Sequence, residues 1–145
     1  MKKTMILIFT LLMLSVQASD SPVSIDDAWL RAAPPNAHML AAYASVSNNG
    51  DAPIYLIGAD SDAFGMTEIH RTIEVDGVFK MKEQKRLNIG VGENLNMAPG
   101  GLHIMLMMPK QSFDIGESVD IELQFEDSEG ANWSQSVSFE VKKEQ

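Results

Sequence analysis

The sequence predicts an all-β sandwich, and three observations carry that prediction. Past residue 20 almost every apolar segment repeats with a period of two, Gly, Pro, Asn or Asp punctuates the gaps, and no long amphipathic helix is visible. About eight short strands joined by turn residues, with one set of apolar faces to bury, make a single sandwich with one core. The chain has 145 residues, which suits one domain.

The first segment is expected to lie outside that domain. Met1-Lys2-Lys3 is a short basic start, Met5 to Val16 is an apolar run broken by Thr10 and Ser15, and Val16-Gln17-Ala18 supplies a cleavage-type end. This order of parts predicts a secretory signal peptide over residues 1–18, leaving a domain over 19–145, and the run is short for a membrane span. No membrane anchor is expected after cleavage, and without cysteine no lipid can be attached at the cleavage site.

Val23 to Ala32 reads as the first strand, carrying Trp29, and Pro34-Pro35-Asn36 ends it because tandem prolines cannot continue a ladder. Ala41 to Ser47 alternates and stops at the turn Asn48-Asn49-Gly50-Asp51; a short helical turn over Ala37 to Ala44 stays open as an alternative there. Ile54 to Ala59 follows. Met66 to Val75 and Val78 to Gln84 flank Asp76-Gly77, a pair suited to a tight type I′ hairpin. Leu102 to Met108 follows Pro99-Gly100-Gly101, and Val119 to Phe125 with Trp133 to Val141 makes a last hairpin. No internal repeat or linker interrupts the domain.

Charge and cysteine count exclude whole classes. The formal net charge is −9, and loss of Lys2 and Lys3 with the leader takes it to −11, so no basic stripe exists to neutralise phosphates and nucleic acid is not an expected partner. Zero cysteines leave the fold without disulfides and exclude thiolate zinc sites, blue-copper centres and thiol exchange.

Imidazole chemistry must draw on His38, His70 and His103. Residues two apart on a strand share a face, so His103 and Met105 stand side by side, with Met107 beyond them. If Asp76-Gly77 is a two-residue loop, Val75 opposes Val78, Thr72 opposes Met81 and His70 opposes Glu83. His70 and Met81 are then diagonal neighbours roughly 7–8 Å apart at Cα. A slip of one residue would put them on opposite faces.

Two His-Met pairs suggest one four-ligand site, provided the fold brings them together. Neutral thioethers with imidazoles favour Cu(I) over zinc, magnesium, calcium or manganese, and Cu(II) stays open as a second ion. Each residue also has a plainer role: a hydrogen-bonded strand histidine, or a methionine filling the core. Glu68 shares a strand face with His70 and could orient its ring. His38-Met39 lies in a predicted loop, as a solvated histidine or an auxiliary soft ligand pair, and Met97, Met107 and Met108 read singly as core.

The spacing His70, ten residues, Met81, twenty-one residues, His103-x-Met105 resembles the signature of the periplasmic PCuAC copper chaperones. Ala28-Trp29-Leu30-Arg31 leading into Pro34-Pro35, Ala41-Ala42-Tyr43, Glu68-Ile69-His70 and Pro99-Gly100-Gly101-Leu102-His103-Ile104-Met105-Leu106 are similar to that family as well. The likeness covers most of the chain from about Ile25 to Phe125, and His38-Met39 departs from it.

The resemblance implies a cupredoxin-like sandwich without the cupredoxin cysteine, and Cu(I) held by His70, Met81, His103 and Met105. It further implies a periplasmic metallochaperone supplying the binuclear copper site of cytochrome oxidase, with the oxidase copper subunit and a thiol-bearing chaperone as partners. No enzyme activity is expected, because no acid-base or nucleophile constellation accompanies the three histidines. The competing expectations are a copper buffer or tolerance protein, and a metal-free interaction sandwich. For ligand exchange the site is expected near the surface, at one end of the sandwich.

Overall fold

Alternation of apolar and polar side chains produces ten strands in the structure, a computed structural model that describes residues 21–144. The expected signal peptide, residues 1–18, lies outside the described residues. The strands are β1 (Val23–Arg31), β2 (Met39–Asn48), β3 (Ile54–Asp60), β4 (Phe64–Val75), β5 (Val78–Glu83), β6 (Leu87–Ile89), β7 (Asn94–Asn96), β8 (Leu102–Pro109), β9 (Ser118–Asp127) and β10 (Asn132–Lys142). They hydrogen-bond in the order β5-β4-β8-β2-β1-β10-β9-β3-β6, with β7 also paired to β2. All these ladders are antiparallel except β1 with β10.

The hydrogen-bonded path curls on itself until β3 contacts β4, and the inward faces close over one core. Leu30, Val46, Leu56, Ile69, Ile104, Leu106, Ile121, Leu123, Phe125 and Phe139 are fully buried there. Burying a side chain of this size is worth about 1.5–3 kcal/mol. Such a core stands in for the disulfides that the chain lacks. The all-β, cupredoxin-like architecture predicted above is the architecture observed.

Turn chemistry holds the strands in register. Asn48 is fully buried at the end of β2. Its Nδ2 donates to the carbonyls of Ala52 and Ile89, and its Oδ1 accepts from the Gly50 amide. Asp76 and Gly77 both have positive φ, 53° and 76°, as a type I′ turn requires. The hairpin therefore takes the anticipated register: Val75 pairs with Val78, Thr72 with Met81, and His70 with Glu83.

Three details depart from the sequence prediction. The possible helical turn over Ala37 to Ala44 is strand from Met39 onward, because Leu40, Ala42 and Ala44 alternate into the core. β6 and β7 were not foreseen; three residues are too few to display a period. The third is a bulge in β1, where Asp26 pairs with Ser45 but Trp29 pairs with Tyr43. One extra residue is inserted at Asp27, which takes φ 51°. Before the bulge Val23 and Ile25 face the core; after it Ala28 and Leu30 do. Trp29 and Arg31 are thereby turned to the outer face.

Candidate metal centre

The central ladder of the site is β4 with β8. His70 pairs directly with His103, and Glu68 with Met105. Ile69, Ile104 and Leu106 point into the core, so the alternating residues His70, His103 and Met105 stand on the opposite face. β5 extends that face at the sheet edge, where Met81 lies diagonal to His70. Strand pairing thus brings all four predicted residues onto one surface.

They differ sharply in exposure. His103 is 4% and Met105 7% exposed, whereas Met81 on the edge strand is 58% exposed. The His70 side chain is 15% exposed. The expectation of an open site therefore holds for Met81 alone: the other three are shielded on the outer face of the sheet. A cluster from β1 and β2 stands beside them on the same outer face. Tyr43 shares the face of β2 whose Ala41 pairs with Met105, its ring lies 4.7 Å from that of Trp29, and the Arg31 guanidinium sits 5.5 Å above it.

Each imidazole has one nitrogen tied and one free. His70 Nε2 lies 2.7 Å from the Glu68 carboxylate, the role anticipated for Glu68, and its Nδ1 is buried without a partner. His103 Nδ1 donates to the Gly101 carbonyl at 3.1 Å, and its Nε2 is buried without a partner. A carbonyl only accepts, so His103 carries its proton on Nδ1 and its lone pair on Nε2. A carboxylate likewise draws the His70 proton to Nε2 and leaves the lone pair on Nδ1. The rings lie edge to face with centroids 5.9 Å apart.

Burial holds the His103 imidazole below its ordinary pKa, opposed by the Gly101 hydrogen bond and reinforced by electrostatic repulsion from the neighbouring His70 ring and the Arg31 guanidinium. That keeps the ring neutral, the form that donates to a metal. Leaving two buried nitrogens unsatisfied costs about 1–3 kcal/mol each, and an absent ligand is one explanation for such a pair. Among the described residues, no group of three or more His, Asp or Glu side chains is placed to hold a metal ion. The side chains gathered on this face are imidazoles and thioethers, a set suited to a soft ion rather than to magnesium or calcium.

Residues 23–141 match the family model described as "Putative lipoprotein LpqE-like". The chain belongs to the LpqE-like family. A curated relative in Leifsonia xyli subsp. xyli, "Putative lipoprotein Lxx21020", is 36% identical over 72% of this chain and 63% of its own length. "Uncharacterized protein RP573" of Rickettsia prowazekii is 35% identical over 61% of this chain and 49% of its own. The chain therefore spans between about half and just under two thirds of the length of these relatives.

Among solved structures, the Cu(I) form of DR1885 from Deinococcus radiodurans is 31% identical. That match covers 88% of this chain and 83% of DR1885, with a TM-score of 0.64. The copper-bound PCuAC domain from PmoF2 superposes with a TM-score of 0.67 at 22% identity, over 86% of this chain and 95% of that domain. The latter likeness establishes fold alone, and the two together bear out the PCuAC-type resemblance. Within this LpqE-like fold, the sequence singled out the four candidate ligands and Glu68 but did not turn Arg31 and Tyr43 to the same outer face. Only the extra residue at Asp27 turns Arg31 outward, and nothing in the local pattern announces it.

Proposed function

We propose that this chain is a periplasmic metallochaperone that carries Cu(I) on His70, Met81, His103 and Met105 and supplies it to the binuclear copper site of cytochrome oxidase. One observation carries the ion-binding part: two buried imidazole nitrogens, His70 Nδ1 and His103 Nε2, lack partners on the sheet face that also holds Met105. The names of two structural relatives, copper-bound PmoF2 and Cu(I) DR1885, support copper as cargo. Periplasmic residence is supported by the leader-like residues 1–18 and by the lipoprotein names of the family and of a relative.

The division between shielded and exposed donors suits a carrier rather than a catalyst. His103 and Met105 are the fixed donors, held by the β8 backbone and by packing. Met81, on the exposed edge strand, is the donor that can leave without disturbing the core. An acceptor ligand replaces Met81 first, and the ion then passes by stepwise exchange. Neutral donors suit a monovalent ion, and the Glu68 carboxylate behind His70 offsets its charge while fixing the ring's tautomer.

X-ray absorption of the copper-loaded protein is expected to give Cu(I) with both nitrogen and sulfur ligands; a site with oxygen and nitrogen donors only would refute the assignment. Transfer of that copper to an apo oxidase copper subunit tests the delivery step. A deletion strain with normal oxidase assembly but lowered copper tolerance would identify a buffer instead.

Two further outcomes follow from the histidines. Glu68→Gln removes the negative charge behind His70 and should weaken Cu(I) binding about 10–100-fold, the usual effect of losing such a partner. Competition against a chromogenic Cu(I) chelator measures it. Protons and copper compete for the same lone pairs, so affinity must fall as pH falls. Because His103 sits below the ordinary histidine value near ~6.5, its share of the loss should appear only below that pH. The same competition run from neutral to acid pH checks the sign, and a pH-independent affinity would exclude histidine ligation.

A further inference from the structure

The chain has seven methionines among the described residues, and five of them (Met39, Met66, Met81, Met105 and Met107) stand on the outer face of β5-β4-β8-β2. Two belong to the site above. The other three form a row: Met107 of β8 pairs with Met39 of β2 on one side and with Met66 of β4 on the other. Directly paired residues share a face, so three thioethers project together from three adjacent strands.

The row cannot be explained by the core. Its neighbours Leu40 and Leu106 are the inward residues, at 8% and 0% exposure, while Met39 and Met66 are 60% and 45% exposed. Singly exposed apolar residues need no explanation, but a contiguous cross-strand row does. Each of the three positions carries sulfur, where a mere apolar contact would accept valine, leucine or phenylalanine equally. Methionine's unbranched, three-bond side chain lets the flanking pair lean over the middle one. Three neutral, polarisable sulfurs, with the nearest carboxylate on that face, Glu68, one row away and engaged with His70, select a soft monovalent ion.

We propose that Met39, Met66 and Met107 form a second, all-thioether site for a soft monovalent metal ion, Cu(I) in the cell. The site stands on its own donors and does not depend on the histidine site. It lies one row along β8 from Met105, two residues or about 6.7 Å away. With no imidazole and more exposure, it binds more weakly than the His-Met site and exchanges faster. It is insensitive to pH across the histidine range, because thioethers do not titrate there.

The test uses protein labelled with 13C at the methionine methyl groups and titrated with Ag(I), a redox-stable soft ion. The first equivalent is expected to move the Met81 and Met105 methyls, and the second to move Met39, Met66 and Met107 together. A Met39→Leu/Met66→Leu double variant, volume-conserving at exposed positions, should weaken the second equivalent at least about tenfold and leave the first unchanged. In a His103→Ala/Met105→Leu variant the first is lost and the three-methionine row should still take its ion. This arm separates failure of the histidine site from failure of this one. Silence of the Met39, Met66 and Met107 methyls up to two equivalents would overturn the proposal, as would a second equivalent that survives in the double variant. Repeating the stoichiometry with Cu(I) under anaerobic conditions should give two equivalents; one equivalent only would likewise overturn it.

Discussion

Replacing Met105 with leucine is expected to lower Cu(I) affinity by more than about 100-fold while moving the melting temperature by only a few degrees. The two halves of that result have separate causes. Met105 is 7% exposed and packs on the β4-β8 ladder beside Glu68, so a residue of the same volume keeps the contacts. Such exchanges usually cost under about 1.5 kcal/mol. What leucine cannot keep is the sulfur. Losing an orienting partner alone typically costs about 10–100-fold in metal affinity, and losing a donor should exceed that. Chelator competition reads the affinity and a thermal melt reads the fold. An unchanged affinity would remove Met105 from the site, and a collapsed fold would make it a core residue first.

Adding Cu(I) to the unsubstituted protein should raise its melting temperature, because an ion that binds only the folded chain stabilises it by mass action. Met105→Leu should lose most of that rise. This gives a second readout from the same samples.

Phe125→Ala tests the opposite arm of the sandwich. Phe125 is fully buried on β9, stacks on Trp133 with ring centroids 5.3 Å apart, and pairs with Leu56 across the β3 ladder. Removing the ring leaves a cavity in the core and should cost about 3–5 kcal/mol. For a domain of this size that is a fall of roughly 10–20 °C in melting temperature. Cu(I) affinity measured well below the new melting point should be unchanged, because β9 does not adjoin the β4-β8-β5 face. A loss of only a few degrees would mean that the site can collapse around the void, contrary to close packing.

The hairpin shows why part of the site was legible. Asp76-Gly77 admits few backbone geometries, so it sets the register of β4 against β5 from local chemistry alone. His103-x-Met105 is legible for the same kind of reason, since two residues on one strand share a face wherever the strand lies. Pairings between strands distant in sequence carry no such mark. His70 opposite His103 joins positions thirty-three residues apart, and only the closing of β4 on β8 decides it.

The methionines make the same point in reverse. Met107 read alone is an adaptable core residue, and Met39 read alone follows a loop histidine. His38 does remain in a loop, but β2 begins at Met39, and the pairing of β2, β8 and β4 puts Met39 and Met107 with Met66 in one row outside the core. β1 adds a subtler case. Its alternation predicts Trp29 on the same face as Ile25, and a single extra residue at Asp27 reverses it, bringing Arg31 and Tyr43 together near His103.

By itself the sequence determined the all-β class, the hairpin register, the soft character of the donors and the exclusion of thiolate chemistry. These follow from side-chain period, turn stereochemistry and the elements present in the side chains, all of which are local. The tertiary structure alone decided that the two His-Met pairs stand on one sheet face, with His70 opposite His103. It also decided that His103 and Met105 are shielded while Met81 is exposed, and that two imidazole nitrogens are left buried without partners. Burial and convergence depend on which strands become neighbours, and that is settled by the core as a whole.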